Sequence, residues 1–511
     1  EFRPRKFEKK PDQKGDSEEK KPHRSDYCPP DLTEDDVINQ VLPSEDYHNR
    51  LDEIEITGGE VPSKIKSFDE LNLHPSLKCN LRYKKPTQIQ TVSIPAILNG
   101  RDLMACAETG SGKTAGFLLP IIDMMLKNGN FQHECLGKAV CTPTALILSP
   151  TRELSVQTFA EGFRFCYKTD VKVAVVYGGT DVNYQVQKMG DSHIVSGTVG
   201  RVHDFIKRKK ICVGKLKYFV LDEADKMLDK GFEHDVRAIF REIMDQKKEY
   251  DDGSKPQMSM FSATFPKEIR DLAAEFLENE IFVIVGNCLS GGANKDIHQR
   301  FILVNSKEEK HDMICEIMKQ SPLKTLIFVE TKYICNVIAV ELTSNGVSAT
   351  NISGERSQRE REIALSDFKN NRKQVLVATS VAARGLDIPG IEQVINFDLP
   401  KCGDEYIHRI GRTGRVGHKG VAISFFSPRN DQAMKDVLAE VLKESGQDVP
   451  DFLLSSSHQP AFNRNNNNYK KNNYQNKTND NNNGGGGGGG NDDDDWGCDD
   501  NGGNNNYSNG G

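Results

Sequence analysis

From Ser67 onward, short apolar runs rich in β-branched residues alternate with longer stretches of helical spacing. The runs are Asp102 to Ala105, Ala145 to Ser149, Val171 to Val176, Tyr218 to Leu221 and Met258 to Phe261. Each is too short for a helix, and its apolar residues do not alternate with polar ones, which is the pattern of a strand buried on both faces. Strands that alternate with helices predict a parallel sheet covered by helices. A second series follows at Phe301 to Val304, Leu326 to Val329, Val375 to Ala378, Val394 to Phe397 and Val421 to Phe425. Around Ile284 to Asn294 the pattern breaks into a polar stretch carrying Gly286, Gly291 and Gly292, which predicts a linker. The fold class is therefore α/β, with tandem parallel-sheet domains at 67–285 and 297–445 joined across 286–296.

The ends carry no such pattern. Residues 1–66 are polar and charged, with nine Lys or Arg and six Asp or Glu up to Arg24, and predict a flexible arm. Residues 446–511 predict a disordered tail: from Ala461 the composition is Asn, Gly and Asp, with consecutive glycines from Gly484 to Gly490 and little apolar surface to offset chain entropy. The first residues are Glu1 and Phe2 with no initiator Met, so a fragment or a tagged start is expected.

A length of 511 residues fits two folded domains plus less ordered ends, at about 150 residues per domain. The net charge of −7 excludes a globally basic polyanion binder, so nucleic-acid binding has to be argued locally. Twelve cysteines with no Cys-x-x-Cys pair argue against a zinc site and a disulfide framework, and fit reduced thiols in a cytoplasmic or nuclear protein. No apolar stretch approaches the length of a membrane helix, and no membrane association is expected.

Two local patterns carry chemistry. Ala107-Glu108-Thr109-Gly110-Ser111-Gly112-Lys113-Thr114 follows a predicted strand and opens a predicted helix, the context a phosphate-binding loop requires. Small residues let backbone N–H groups approach phosphates at a helix N-terminus, Lys113 adds charge, and the Thr114 hydroxyl can ligate Mg²⁺. Ala107 stands where the general pattern has Gly. Farther along, Tyr218-Phe219-Val220-Leu221-Asp222-Glu223-Ala224-Asp225 is an apolar strand ending in carboxylates. Beside a phosphate loop, Asp222 would hold Mg²⁺ through water and Glu223 would orient or deprotonate the attacking water.

With these motifs the sequence resembles the DEAD-box ATP-dependent RNA helicases, roughly from Asp52 to Leu453. The resemblance implies two RecA-like domains, RNA-dependent ATPase and helicase activity, and ATP with Mg²⁺ as cofactors. It implies that Gln90, in Lys85-Pro86-Thr87-Gln88-Ile89-Gln90, reads the adenine edge and that Phe68 stacks on the base. It places Thr109, Gly110, Ser111, Gly112, Lys113, Thr114, Gly385 and Asp387 against the nucleotide, and Ser262-Ala263-Thr264 between hydrolysis and strand separation. His408, Arg412 and Arg415 join the catalytic set; the i and i+3 spacing of the two arginines predicts one helix face, and an Arg delivered from a second domain can act as an arginine finger.

For RNA the resemblance implies contacts from Pro150, Thr151, Arg152, Gly179, Thr198, Gly200 and Arg201 of the first domain, and from Thr331, Gln358, Arg361, Thr379 and Arg384 of the second. Hydroxyls, amides and arginines suit phosphates and 2′-OH groups, so a sequence-independent grip on a single strand or short duplex is expected. Three positions depart from the family pattern: Val199 in place of Pro, Ser353-Gly354-Glu355 in place of His-Gly-Asp, and Arg82 in place of Gly. Asp26-Tyr27-Cys28-Pro29-Pro30, Ile56-Thr57-Gly58-Gly59 with Val61-Pro62, Val449-Pro450-Asp451-Phe452 and the acidic cluster around Trp496 resemble the Vasa subgroup. That subgroup implies germ-cell development, translational control, small-RNA silencing of transposons and germ-granule RNP partners in the cytoplasm, with a core acting as a monomer. The Ded-type translation helicases share the core, and a DNA helicase or a non-catalytic RNA clamp are rival readings of the same architecture.

Overall fold

The computed structural model describes residues 27–29, 54–59, 61–108, 110–129, 141–229, 231–286, 296–380, 388, 390–414 and 419–454. The first lobe is built on an eight-stranded sheet of order β1-β8-β2-β7-β6-β3-β5-β4. Its strands are β1 Ile54–Gly58, β2 Leu103–Cys106, β3 Ala145–Ser149, β4 Val173–Val176, β5 Ile194–Thr198, β6 Tyr218–Asp222, β7 Gln257–Ser262 and β8 Ile281–Val285. All neighbours are parallel except β1, which lies antiparallel along β8.

Burial on both faces explains the unbroken apolar runs. In β6, Val220 packs with Phe117 and Phe165 beneath the helices Gln88–Leu98, Lys113–Asn128 and Arg152–Phe165. Its neighbours Phe219 and Leu221 point to the other face and pack with Phe205, Ile239 and Phe276 beneath the helices Val199–Lys207, Glu233–Tyr250 and Lys267–Phe276.

The second lobe repeats the plan on a six-stranded, all-parallel sheet of order β11-β12-β10-β13-β14-β9. The strands are β9 Ile297–Leu303, β10 Thr325–Val329, β11 Ala349–Ile352, β12 Val375–Thr379, β13 Gln393–Asn396 and β14 Gly420–Phe426. Successive residues of β10 again divide between two cores, Ile327 and Val329 on one side and Leu326 and Phe328 on the other.

The structure departs from the sequence reading at both margins. Ile54–Gly58, within the stretch read as a flexible arm, forms an edge strand, because Ile54 and Ile56 place two apolar side chains on the first-lobe core. Ile65 is also buried. At the other margin, Asp451–Leu454 is helical and Phe452 packs 5.7 Å from Phe426, so residues read as the start of the tail are folded. Strands β5, β8 and β11 escaped the pattern: Ser196 and Gly197 interrupt β5, Asn351 interrupts β11, and β8 runs into the break assigned to the linker. Nine described cysteines are free thiols.

Candidate nucleotide and RNA site

Parallel α/β sheets present their ligand-facing loops at the carboxyl ends of the strands, and here that edge divides into halves. One half is formed by the adjacent strands β2, β7 and β6, which align Cys106 with Ser262 and Phe261 with Asp222. The loop after β2 is fastened by the Ala107 N–H donating to the Ser262 carbonyl at 3.1 Å. Gly110 and Gly112 adopt φ of 88° and 89°, a left-handed turn that a side chain would strain. A Cβ on Gly112 would also stand 2.5 Å from the Gln90 amide nitrogen. Lys113 opens the helix, is buried, and donates to the carbonyls of Ala107 and of Glu108, the latter at 2.9 Å. Thr114 follows in the first turn; Thr109 lies outside the described residues.

Gln90 is the third residue of the helix Gln88–Leu98 and completes a capping box with Thr87. Its Oε1 accepts from the Thr87 N–H at 3.0 Å, and its Nε2 donates to the Gly112 carbonyl at 2.9 Å. The amide therefore ties the Gln90 helix to the phosphate loop, leaving the rest of its hydrogen-bonding capacity for a ligand. Phe68 sits in a short 3₁₀ turn, is buried in the first-lobe core, and lines a hollow shared with Asn72, Leu73 and Pro75.

At the end of β6 the carboxylates occupy different environments. Asp222 is 2% exposed, and burial, reinforced by the neighbouring Glu223, pushes its carboxyl up to about 7 against the opposing pull of Lys113 and Lys226. Glu223 adopts φ of 57°. Burial alone would raise Glu223, but the ammonium of Lys226, 2.7 Å from its Oε1, and the Arg412 guanidinium together hold it below the usual carboxylate range. The Asp222 Oδ2, Glu223 Oε2, Ser111 Oγ and Ser262 Oγ are buried and make no protein hydrogen bond.

Asp225 joins the lobes. Its Oδ2 accepts from the Ala263 N–H at 3.3 Å, the Thr264 N–H at 3.2 Å and the Thr264 hydroxyl at 3.1 Å, and stands 3.4 Å from His408 Nε2 of the second lobe. Burial would raise this carboxyl, yet His408, Lys226 and Lys113 hold it well below the ordinary range. The Thr264 hydroxyl thus reaches the acidic cluster, while the Ser262 hydroxyl does not. The helix Gly403–Ile410 ends before Arg412, whose Nε donates to the His408 carbonyl at 3.2 Å from the following turn. Arg412 therefore lies on no helix face, which corrects the shared-face reading of Arg412 and Arg415: Gly411 caps the helix first. Arg384, Gly385, Asp387 and Arg415 lie outside the described residues.

The other half of the edge, β3, β5 and β4, carries the first-lobe residues assigned to RNA. After Pro150, Thr151 caps the helix beginning at Arg152, its hydroxyl accepting from the Leu154 N–H at 3.2 Å. Thr198 occupies the N-cap position before the helix Val199–Lys207, which bears Gly200 and Arg201 in its first turn. Gly179 has φ of 87°, and a Cβ there would meet Arg152 Nη1 at 2.6 Å, so only glycine lets that guanidinium lie on the turn.

In the second lobe, Thr331 caps the helix Lys332–Ser344, Thr379 ends β12, and Gln358 and Arg361 lie on one face of the helix Gln358–Lys369. Those last residues meet the first lobe directly. Arg152 donates to Gln358 Oε1 at 3.0 Å, and Arg361 donates to Glu153 Oε1 at 3.0 Å. Sequence reasoning missed Lys226, although its i+3 spacing from Glu223 was available, and it missed the Glu153–Arg361 pair, which no local pattern signals.

A DEAD/DEAH box helicase profile matches residues 87–272, and a helicase conserved C-terminal domain profile matches residues 309–417. ATP-dependent RNA helicase vasa of Drosophila melanogaster is 44% identical over 439 residues, covering 84% of this chain and 64% of that protein. Human probable ATP-dependent RNA helicase DDX4 is 42% identical over 460 residues, covering 88% of this chain and 62% of that protein. The chain thus spans somewhat less than two thirds of the length of these relatives. Among solved structures, S. cerevisiae Dbp5 bound to RNA and ADP BeF3 superposes with a TM-score of 0.63 at 31% identity, over 75% of this chain and 95% of that one. Two RecA-like lobes, the phosphate loop, the Asp222-Glu223-Ala224-Asp225 box and these similarities establish that the chain belongs to the DEAD-box helicase family, with its similarity directed to the Vasa subgroup.

Proposed function

We propose that the protein is an ATP-dependent RNA helicase of the Vasa type, which grips a single-stranded RNA backbone across both lobes and couples that grip to ATP hydrolysis. The observation that carries this reading is a single seam between the lobes with both chemistries on it: Asp225–His408 and Arg412 beside the phosphate loop, and Arg152–Gln358 and Glu153–Arg361 among the residues assigned to RNA. Closing the lobes brings both sets into register, so hydrolysis becomes conditional on RNA.

In this reading Lys113 and the amides of Gly110 to Thr114 hold the β- and γ-phosphates, and Gln90 and Phe68 select the base. Glu223, kept ionised by Lys226 and Arg412, takes the proton of the attacking water, and Arg412 faces the charge that develops on the γ-phosphate. Thr114 and Asp222 fit a Mg²⁺ ion. The Asp222 Oδ2 is buried with no protein partner, and among the described residues no cluster of His, Cys, Asp and Glu forms a closed metal cage. That donor set suits a cation that keeps much of its water shell and, when bound, neutralises phosphate charge.

The similarity to Vasa and DDX4 supports a role in germ cells, in cytoplasmic RNP granules, with translational control or small-RNA silencing as the process served. No helix among the described residues is long and apolar enough to cross a membrane. The test is ATP turnover with RNA or DNA strands of equal length. Turnover stimulated by RNA alone is expected; equal stimulation by DNA would point to a translocase, and RNA binding without turnover to a clamp.

A further inference from the structure

Outside the helicase profiles, a short N-terminal segment, Tyr27-Cys28-Pro29, lies across the seam between the lobes. It is held on the first lobe at the start of the helix Val182–Met189. The Asp181 N–H donates to the Tyr27 carbonyl at 3.1 Å, and the Tyr184 hydroxyl donates to the Pro29 carbonyl at 2.8 Å. Asp181 is the cap of that helix, its carboxylate accepting from the Tyr184 N–H at 2.7 Å, so the residues that receive the segment are themselves fixed.

From this seat the Tyr27 hydroxyl donates to Oε2 of Glu362, on the second-lobe helix Gln358–Lys369. The other oxygen of that carboxylate accepts from the Tyr177 hydroxyl at 3.3 Å and from Gln358 Nε2 at 2.9 Å. Gln358 in turn accepts from Arg152. A continuous chain of hydrogen bonds therefore runs from the N-terminal segment through Glu362 to residues placed on the RNA. Burial, together with the adjoining carboxylate, pushes the Tyr27 hydroxyl above its usual range, in keeping with a phenol that donates to Glu362.

We propose that Tyr27 is a positioning residue: seated on the first lobe by its own backbone, it engages Glu362 and holds the Gln358–Lys369 helix in the closed arrangement that presents Gln358 and Arg361 to RNA. The inference rests on the RNA-helicase reading. A rigid strap lowers the entropy lost on closure, so its removal weakens RNA binding without altering the chemistry once RNA saturates the site.

The experiment compares the full chain with Tyr27→Phe, Glu362→Gln and the double variant. Two quantities are read: RNA-stimulated ATP turnover over a range of single-stranded RNA concentrations, and the distance between fluorophores on the two lobes with a non-hydrolysable ATP analogue and RNA. Each single variant should raise the RNA concentration for half-maximal turnover about three- to tenfold, the range expected for the net loss of one ordinary hydrogen bond at a partly solvated site. kcat at saturating RNA should not change, the closed fraction should fall, and the double variant should be no worse than the worse single one. Wild-type behaviour of Tyr27→Phe, additive single effects, or a loss confined to kcat would each overturn the proposal. Failure of the unmodified chain to respond to RNA would instead overturn the helicase reading, and the fluorophore distance with the ATP analogue alone would still report whether Tyr27 holds the lobes together.

Discussion

The two parts of the interlobe seam are built on opposite physical principles. The inner part, around Asp225, Lys226, Glu223 and Arg412, keeps charged side chains 1–4% exposed, each matched to an opposite charge or a backbone donor. The outer part, Arg152–Gln358, Glu153–Arg361 and Glu362 with its tyrosines, uses longer, partly solvated side chains with a neutral amide at its centre. Buried charges are costly to separate, because each partner left behind is desolvated and unpaired. Polar contacts near solvent separate at little cost, because water replaces the lost partner. In the proposed reading, chemistry on the inner seam is nearly all-or-none, whereas the Arg152 and Arg361 donors of the outer seam can exchange their protein partners for the phosphates and 2′-OH groups of an RNA backbone.

Substitutions test that contrast, and the largest effects belong to the inner seam. Lys113→Ala should abolish RNA-stimulated ATP turnover, since Lys113 is the cation buried beneath the phosphate loop. Glu223→Gln should retain ATP binding and lose turnover by at least about 100-fold, the lower range for a general base, and should remain on RNA in the presence of ATP. Rapid release of labelled RNA by this variant would remove Glu223 from the assigned role.

Asp225→Asn addresses stability. The Asp225 carboxyl is depressed in the folded state, so its contribution is fully present above its unfolded value near 4 and is lost as pH falls through the folded value. Removing that charge leaves His408 and Lys226 without it, at a cost of about 3–5 kcal/mol near neutral pH. Thermal melts of wild type and variant should therefore differ most at pH 7 and converge as the solution is acidified. A difference that widens toward acid would reverse the sign assigned to this group.

On the outer seam, Arg361→Ala removes a contact to Glu153 whose side chains are 14% and 11% exposed, and should lower thermal stability by about 1.5–3 kcal/mol, less than the loss expected for Asp225→Asn. The same variant should weaken single-stranded RNA binding several-fold, because the guanidinium is assigned to the backbone grip. A loss of stability equal to that of Asp225→Asn would erase the distinction between the two parts of the seam.

The same contrast governs how much of the molecule was legible before its structure. The phosphate loop and the acidic box are contiguous, their chemistry demands particular residue types at fixed spacing, and both were found with the strands that carry them. The partner sets were not legible. Glu153 and Arg361 are 208 residues apart, and an ion pair across lobes leaves no local periodicity. A lysine in a helix is usually solvated, and only tertiary packing buries Lys226 against Glu223. Arg412 was misplaced for a local reason, since its spacing from Arg415 is helical but Gly411 ends the helix. Strand β11 was missed because Asn351 is buried within it, where a strand read from an unbroken apolar run is expected to carry an apolar residue.

The smallest effect is expected at Val199, where the family pattern has Pro, and its sign tests whether the outer seam is held in readiness for RNA or assembled by it. Val199 is the first residue of its helix, after Thr198 with ψ of 141°. Proline is well tolerated at a first helical position, where the N–H has no partner within the helix, and an extended preceding residue is what a proline requires. The Val199 side chain is fully buried in the core with Val202 and Phe205, and a proline ring occupies comparable volume. Stiffening a compatible site by Xaa→Pro is worth about 0.4–1 kcal/mol, or roughly two- to fivefold in affinity if the flexibility removed is that of the unbound turn bearing Thr198, Gly200 and Arg201. Val199→Pro should therefore tighten single-stranded RNA binding by that factor in the presence of a non-hydrolysable ATP analogue, with ATP affinity in the absence of RNA unchanged. Weaker RNA binding by the variant would mean that the buried valine methyls, and not backbone freedom, set the geometry of this turn.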